Sequence, residues 1–277
     1  MSGNLTEAGR NHAAYWDDLS AEYQSQTSIS LTDFHYGPLL PGDRQLQLLP
    51  RPLEETTCLE LGCGAGQNSI VLAKAGARCI GIDISERMLE HARRLAEQER
   101  VSSEFRKADL DALPTFGRQT FDLIHSAYGV PFAENPEQVI RTCADLLKPG
   151  GTLLFSMGHP VYAGEWLDLE GEEGLFLRDY FHPVPDAREG KHSEAVSRAY
   201  PVSEVAEWIV RAGLRLDRIL EPPALPAHQL HLAPYTSDAW EEQAEELRRF
   251  PIVVIYRACK EHVPPSTPET EYDDPPS

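Results

Sequence analysis

Apolar positions along the chain gather in short runs, separated by stretches whose apolar residues recur at helical spacing. Five runs have strand length: Thr57–Leu61, Arg78–Asp83, Ser103–Ala108, Phe121–Ser126 and Thr152–Met157. Between them, Gln67–Ala75, Glu86–Gln98 and Pro136–Leu147 read as helices, with Ser85 as an N-cap for the second and Gly150 as a stop after the third. Strict alternation of strand and helix predicts a parallel sheet covered on both faces. The pattern breaks over residues 158–200, then resumes with a helix near Ser203–Ala212, a strand near Leu214–Leu220, a helix around Ser237–Arg249 and a last strand over 251–259. The expected fold is therefore α/β, a Rossmann-like, doubly wound, mainly parallel seven-stranded sheet, with an insertion after the fifth strand.

The ends differ from this middle. Residues 1–50 read as an N-terminal helical cap whose first stretch, to about Arg10, is small and polar. The main domain covers 51–262, and residues 263–277, VPPSTPETEYDDPPS, are too rich in proline and acid to pack and predict disorder. No internal repeat is visible. Composition alters the picture in two respects. With 25 basic and 44 acidic residues the net charge is −19, which disfavours nucleic acid and anionic membrane surfaces as partners. Five cysteines without a CxxC pair, mostly inside apolar runs, fit a reducing, cytoplasmic setting, and no apolar run reaches the ~18 residues of a membrane span. Self-association into a homo-oligomer stays open.

Candidate chemistry begins at CLELGCGAGQNSI, residues 58–70, where strand, glycine turn and helix start follow in order. That is the context in which a cofactor binds at the carboxyl edge of a sheet. Asp83 closes the next strand, 21 residues after Gly62, where a carboxylate can accept both hydroxyls of an adenosine ribose. A dinucleotide and S-adenosylmethionine both fit these features. The dinucleotide fingerprint G-x-G-x-x-G would place its third glycine at position 67, which is Gln67.

Further segments carry a resemblance. LELGCGAG, IGIDIS, FRKADLDALP, FDLIHSAYGV and LLKPGGTLLFS, in that order, resemble the class I S-adenosylmethionine-dependent methyltransferases over roughly residues 55 to 160. The resemblance implies S-adenosyl-L-methionine as cofactor, with Glu60, Gly62, Gly64, Gly66 and Asn68 from the glycine loop. It implies Asp83 on the ribose, Ile84 beside the adenine, Asp109 and Leu110 at the adenine amino group, and Ser126 to Tyr128 along the methionine part. HAAYWDDLSAEY resembles the helix that closes over the cofactor, with Tyr15 and Tyr23 as carboxylate contacts; the same rings also suit ordinary core packing. DFHYG, residues 33–37, extends this region without matching a motif.

Methyl transfer from a sulfonium is an in-line displacement that needs no metal, and a base only when the acceptor is protonated. The insertion 158–200 is expected to bind the acceptor. It carries Tyr162, Trp166, Phe176, Tyr180 and Phe181, several acids, and the histidines His159 and His182. The candidates for chemistry are His159 in SMGHP, Glu165, Glu170 and Tyr128, with His159 also suited simply to fixing the turn before Pro160. Aromatics mixed with acids favour an apolar or aromatic small-molecule acceptor, methylated on O, N or carbon. An anionic acceptor would want Arg178, Arg188, Lys191 or Arg198 turned inward. HQLH at 228–231 lacks a third ligand of clear spacing, so no metal is expected. The expected function is methylation of a small molecule in specialised metabolism. The alternatives are methylation of a macromolecule, a dinucleotide-dependent oxidoreductase, and a non-catalytic cofactor binder.

Overall fold

The computed structural model describes residues 5–169, 171–190 and 193–262; the expectations for the first four residues, Glu170, Lys191 and the tail lie outside them. Helix α1 spans Glu7–Gln26, and its N-cap Thr6 accepts a hydrogen bond from the Gly9 N–H, so the chain is already helical where sequence suggested a loose start. The strands of the main sheet are β1 (Thr57–Leu61), β2 (Arg78–Asp83), β3 (Ser103–Lys107), β4 (Phe121–Ala127), β5 (Leu147–Gly158), β6 (Arg215–Leu220) and β7 (Val253–Cys259). The covering helices are α2 (Gln67–Lys74), α3 (Glu86–Glu99), α4 (Pro136–Leu146) and α5 (Val202–Arg211). Ser85 caps α3 by accepting from Met88 N.

Strand order across the sheet is β3-β2-β1-β4-β5-β7-β6. The pairings from β3 through β5 are parallel, and β7 runs antiparallel to both β5 and β6. Alternate side chains feed opposite faces. In β7, Val254 and Tyr256 join the core with Val205, Trp208 and Ile209 of α5, whereas Val253 and Ile255 join Phe34, Tyr36, Leu39 and Leu40. Burial on both faces explains why the parallel strands read as nearly continuous apolar runs.

Sequence and structure part in three places. The helix expected over 237–249 is two short ones, Asp238–Glu242 and Ala244–Leu247. Just before them Tyr235–Ser237 forms a small antiparallel ribbon with Thr27–Ile29. The insertion after β5 is made of two hairpins, Glu165–Leu169 with Glu172–Phe176 and Asp186–Glu189 with Glu194–Ser197. The sheet order reverses between β1 and β4, both of which lie beside one another but continue in opposite directions. The crevice at their carboxyl ends is the general ligand position of such sheets.

Candidate cofactor and acceptor site

A cavity of about 980 Å³ opens at that crevice. One half is built from strand ends. Gly64 and Asp83 line it with Ile84, Asp109 and Leu110. Asp83 Oδ2 accepts from Gly64 N at 2.8 Å and Oδ1 from Ser85 N at 2.9 Å, which fixes the carboxylate at the end of β2. Burial raises the Asp83 pKa, and these backbone N–H groups oppose that rise.

The three glycines of the loop do different work. A Cβ on Gly62 would stand 2.9 Å from the Cα of Gly129, and one on Gly66 would stand 2.6 Å from the Phe105 ring. A Cβ on Gly64 would meet nothing within 4 Å. All three have positive φ; Gly62 and Gly64 both line the cavity, but only at Gly64 would a side chain find open space. An open cradle, a fixed carboxylate and apolar walls at Ile84 and Leu110 suit an adenosine-bearing ligand.

Other residues expected at the cofactor have inward tasks. Glu60 is buried beneath the loop and accepts from Ser69 N at 3.0 Å and Ser69 Oγ at 2.5 Å, with its carboxyl pushed up to about 8 by burial. The Asn68 side chain clamps the backbone of His35, accepting from its N–H at 3.0 Å and donating to its carbonyl at 3.1 Å. Ser126 Oγ donates to Leu61 O and accepts from Gly129 N, tying β4 to the loop. None of these three, nor Gly66, lines the cavity. Gln67 starts α2, buried, with Nε2 on Gln24 Oε1 at 3.3 Å.

Helix α1 is the roof of the cofactor half, through His12, Trp16 and Tyr23. Tyr15 stays outside the cavity, its ring edge-on to Trp16. Two latches hold the roof. His12 Nε2 accepts from Val196 N at 3.1 Å, and Asp17 Oδ1 accepts from Ser85 Oγ at 2.6 Å and Arg87 N at 3.0 Å. Asp17 was not singled out by sequence, where it reads as one of several acids along a helix. Replacing Asp17 by alanine removes both bonds to the α3 N-terminus. We expect affinity for S-adenosylhomocysteine to fall on the order of 10-fold, about 1.4 kcal/mol. Calorimetry checks this, and an unchanged affinity would mean the latch does not govern closure.

The second half of the cavity is aromatic and polar: His35, Tyr128, Tyr162, Tyr235 and Trp240 line it. Tyr23 and Tyr235 share a hydroxyl–hydroxyl bond of 2.7 Å, and burial raises the pKa of both. Tyr128 sits at positive φ directly after β4, with its hydroxyl 3.5 Å from Ile252 O. His159 also lines this half, but both ring nitrogens are taken. Nδ1 accepts from Val161 N at 3.1 Å, which leaves Nε2 to donate to Glu221 Oε1 at 2.9 Å. The imidazole therefore caps the short helical turn Pro160–Ala163, and burial lowers its pKa despite Glu221.

Much of the expected acceptor surface lies elsewhere. Glu165 is 68% exposed beside Arg178 and does not reach the cavity; Glu170 lies outside the described residues. Trp166 turns to Phe250, Phe181 is 70% exposed, and His182 pairs with Asp179 on the surface. Among the described residues none of the first hairpin lines the cavity, whereas the second hairpin contributes Asp186, Arg188 and Ser197 to it. Arg188 and Arg198 both turn inward, Arg188 in an ion pair with Asp186 at 2.7 Å; Arg178 does not. Among the described residues no group of three metal-ligand side chains occurs, and no helix is long and apolar enough to cross a membrane.

A family model described as a methyltransferase domain matches residues 59–155. A Mesorhizobium loti S-adenosylmethionine-dependent methyltransferase of known structure superposes with a TM-score of 0.62 at 26% identity, over 77% of this chain and 94% of that one. Residues 59–155 therefore carry a methyltransferase domain, in a fold similar to that of S-adenosylmethionine-dependent methyltransferases. Its cofactor is S-adenosyl-L-methionine, which the Gly64 cradle and the Asp83 carboxylate fit. A Listeria monocytogenes protein at 21% identity shares the fold, with a TM-score of 0.65 over 78% of this chain and 95% of that one. A ubiquinone biosynthesis O-methyltransferase from Coxiella burnetii (strain Dugway 5J108-111) is 34% identical over 158 residues. The match spans 57% of this chain and 63% of that relative's length.

Proposed function

We propose that this protein transfers the methyl group of S-adenosylmethionine to a hydroxyl oxygen of a small aromatic acceptor, in a biosynthetic role. The observation that carries the reading is the continuity of one cavity. The Gly64–Asp83 half suits the cofactor and runs without a wall into a half lined by Tyr128, Tyr162, Tyr235 and Trp240. Asp83 would hold the ribose, Ile84 and Leu110 would flank the adenine, and the α1 roof would keep water out. The bound cofactor supplies an electrophilic methyl carbon. The chain's contribution is to place the acceptor oxygen in line with it, which can lower the barrier by roughly 7–11 kcal/mol in well-aligned systems. Oxygen is favoured over nitrogen or carbon by the O-methylating relative. A small acceptor is favoured by the α1 roof and by the net charge of −19, which disfavours a nucleic acid.

Calorimetry with S-adenosylhomocysteine and with NAD tests the cofactor; heat with NAD alone would overturn the reading. Mass analysis of products from a panel of catechols, phenols, alcohols and amines tests the acceptor. We expect a mass gain of one methyl on hydroxyl compounds, and product only from amines would move the reaction to nitrogen.

A further inference from the structure

The second hairpin, Asp186–Glu189 with Glu194–Ser197, forms a wall of the cavity and is anchored to the body at three points. Ala195 is fully buried, Val196 N donates to His12 Nε2 at 3.1 Å, and Arg198 N donates to Pro131 O at 3.1 Å. Arg188 and Arg198 line the cavity from this fixed wall. A single oxygen of Asp186, Oδ2, accepts from Arg188 Nε at 2.8 Å and faces its Nη2 at 2.7 Å, so one edge of the guanidinium is held and Nη1 has no partner among the described residues. The Phe132 ring backs the same group, its centroid 5.8 Å away. Arg198 is half-buried, and its side chain has neither an ion pair nor a hydrogen bond among the described residues. A partly desolvated cation without a counter-ion is a costly arrangement that a bound anion relieves.

Burial raises the pKa of Tyr23, Tyr128, Tyr162 and Tyr235, and the positive charge of Arg188 opposes that rise at all four, so the guanidinium stands beside the aromatic half. Two arginines set against Asp186 leave one positive charge on this wall, which matches a monoanion. The other acids that line the cavity lie elsewhere: Asp83 and Asp109 in the cofactor half, Asp238 and Glu241 exposed on the short helix Asp238–Glu242. A planar guanidinium fork suits a carboxylate better than any other monoanionic group. Resting on the reading of the site as an O-methylating one, we propose that the acceptor is an aromatic hydroxy acid whose carboxylate is held by Arg188 and Arg198. Its ring would lie among Tyr128, Tyr162 and Trp240. Fixing the carboxylate at one end of the ring fixes which hydroxyl at the other end meets the methyl carbon. A neutral phenol would fill the same slot without touching either guanidinium, and in more than one orientation.

The test uses the full chain with S-adenosylmethionine and two acceptors of matched shape, protocatechuate and its neutral amide. Wild type is expected to show kcat/KM about 30-fold higher for the acid, carried by KM, and to favour one of the two possible methyl isomers. Arg188→Gln should erase that preference, lowering kcat/KM for the acid about 30-fold, leaving the amide within about 3-fold and mixing the isomers. Arg188→Lys should restore part of it, and Arg198→Gln should cost the acid about 10-fold. Calorimetry of protocatechuate on the S-adenosylhomocysteine complex should give the same ordering without turnover. In both glutamine variants, affinity for S-adenosylhomocysteine and for methylthioadenosine, which lacks the methionine carboxylate, should be unchanged. Equal kcat/KM for acid and amide in wild type, or an Arg188→Gln variant that loses both acceptors alike, would overturn the proposal. So would a loss of affinity for S-adenosylhomocysteine with that for methylthioadenosine kept, which would give the arginines to the cofactor's carboxylate. Methylation of neutral hydroxyl compounds but of no acid overturns this inference and leaves the oxygen-acceptor reading standing. Methylation of no hydroxyl compound at all overturns both.

Discussion

Asp83→Ala is expected to weaken binding of S-adenosylhomocysteine on the order of 100- to 1,000-fold while leaving the protein folded. Two losses add. Hydrogen bonds to a charged acceptor contribute about 1.5–3 kcal/mol each, and a ribose offers two hydroxyls to one carboxylate. The same carboxylate also fixes the Gly64 N–H, so its removal loosens the cradle opposite. Folding should suffer less, because burial already disfavours the Asp83 carboxylate, and alanine leaves the loop N–H groups it held beside an open cavity. Calorimetry with S-adenosylhomocysteine and a thermal melt measure the two effects separately. Wild-type affinity in Asp83→Ala would remove this residue from the site.

The second large effect separates the glycines of the loop. Gly62→Ala puts a Cβ 2.9 Å from the Gly129 backbone, which has no flexible side chain to yield, and adds the cost of a left-handed conformation at φ +64°. That strain alone is about 1–2 kcal/mol, so the total should be roughly 2–4 kcal/mol, a fall in Tm of roughly 5–15 °C. Gly66→Ala drives a Cβ into the Phe105 ring at 2.6 Å, with Ala92 Cβ behind at 3.1 Å, and should cost a similar amount. Gly64→Ala meets no protein atom and should cost only the strain of φ +52°, about 1 kcal/mol. Its methyl enters the cavity, so affinity for S-adenosylhomocysteine should drop about 10-fold or more with Tm nearly unchanged. The reverse ordering, with Gly64→Ala the least stable and Gly62→Ala losing only affinity, would refute the division of labour.

Those glycines show how far local pattern carries. From sequence, close approach of something to the backbone was evident at all three. What approaches was not: a side chain at Gly62 would meet Gly129 although its backbone also borders the cavity, one at Gly66 would meet Phe105, and one at Gly64 would enter the cavity alone. The same distinction runs through the polar residues. Glu60 and Asn68 stand in a cofactor loop by spacing, yet their side chains turn inward to Ser69 and His35. A carboxylate or amide beside a glycine turn has the same sequence signature whichever side of the loop it faces. For His159 the turn-fixing alternative matches the observed hydrogen bonds, because a histidine before proline can accept from the N–H two residues on.

Sequence by itself determined the alternating strands and helices, the parallel sheet with its last strand added at 251–259, and the placing of Asp83, Ile84, Asp109 and Leu110 at successive strand ends. These follow from periodicity and from short-range order, because residues at the carboxyl end of neighbouring parallel strands are brought together by the sheet itself. Only the tertiary structure decided the acceptor side. His35, Tyr128, Tyr235 and Arg188 come from four distant stretches of chain, and what unites them is the docking of α1, the 27–29 ribbon and the second hairpin over one opening. The direction in which each side chain of an irregular segment points depends on that docking. No local spacing encodes it, so Asp83, Ile84, Asp109 and Leu110 at the strand ends were legible, whereas the sequence named Tyr128, Tyr162 and Arg188 without their grouping and gave His35 and Tyr235 no role.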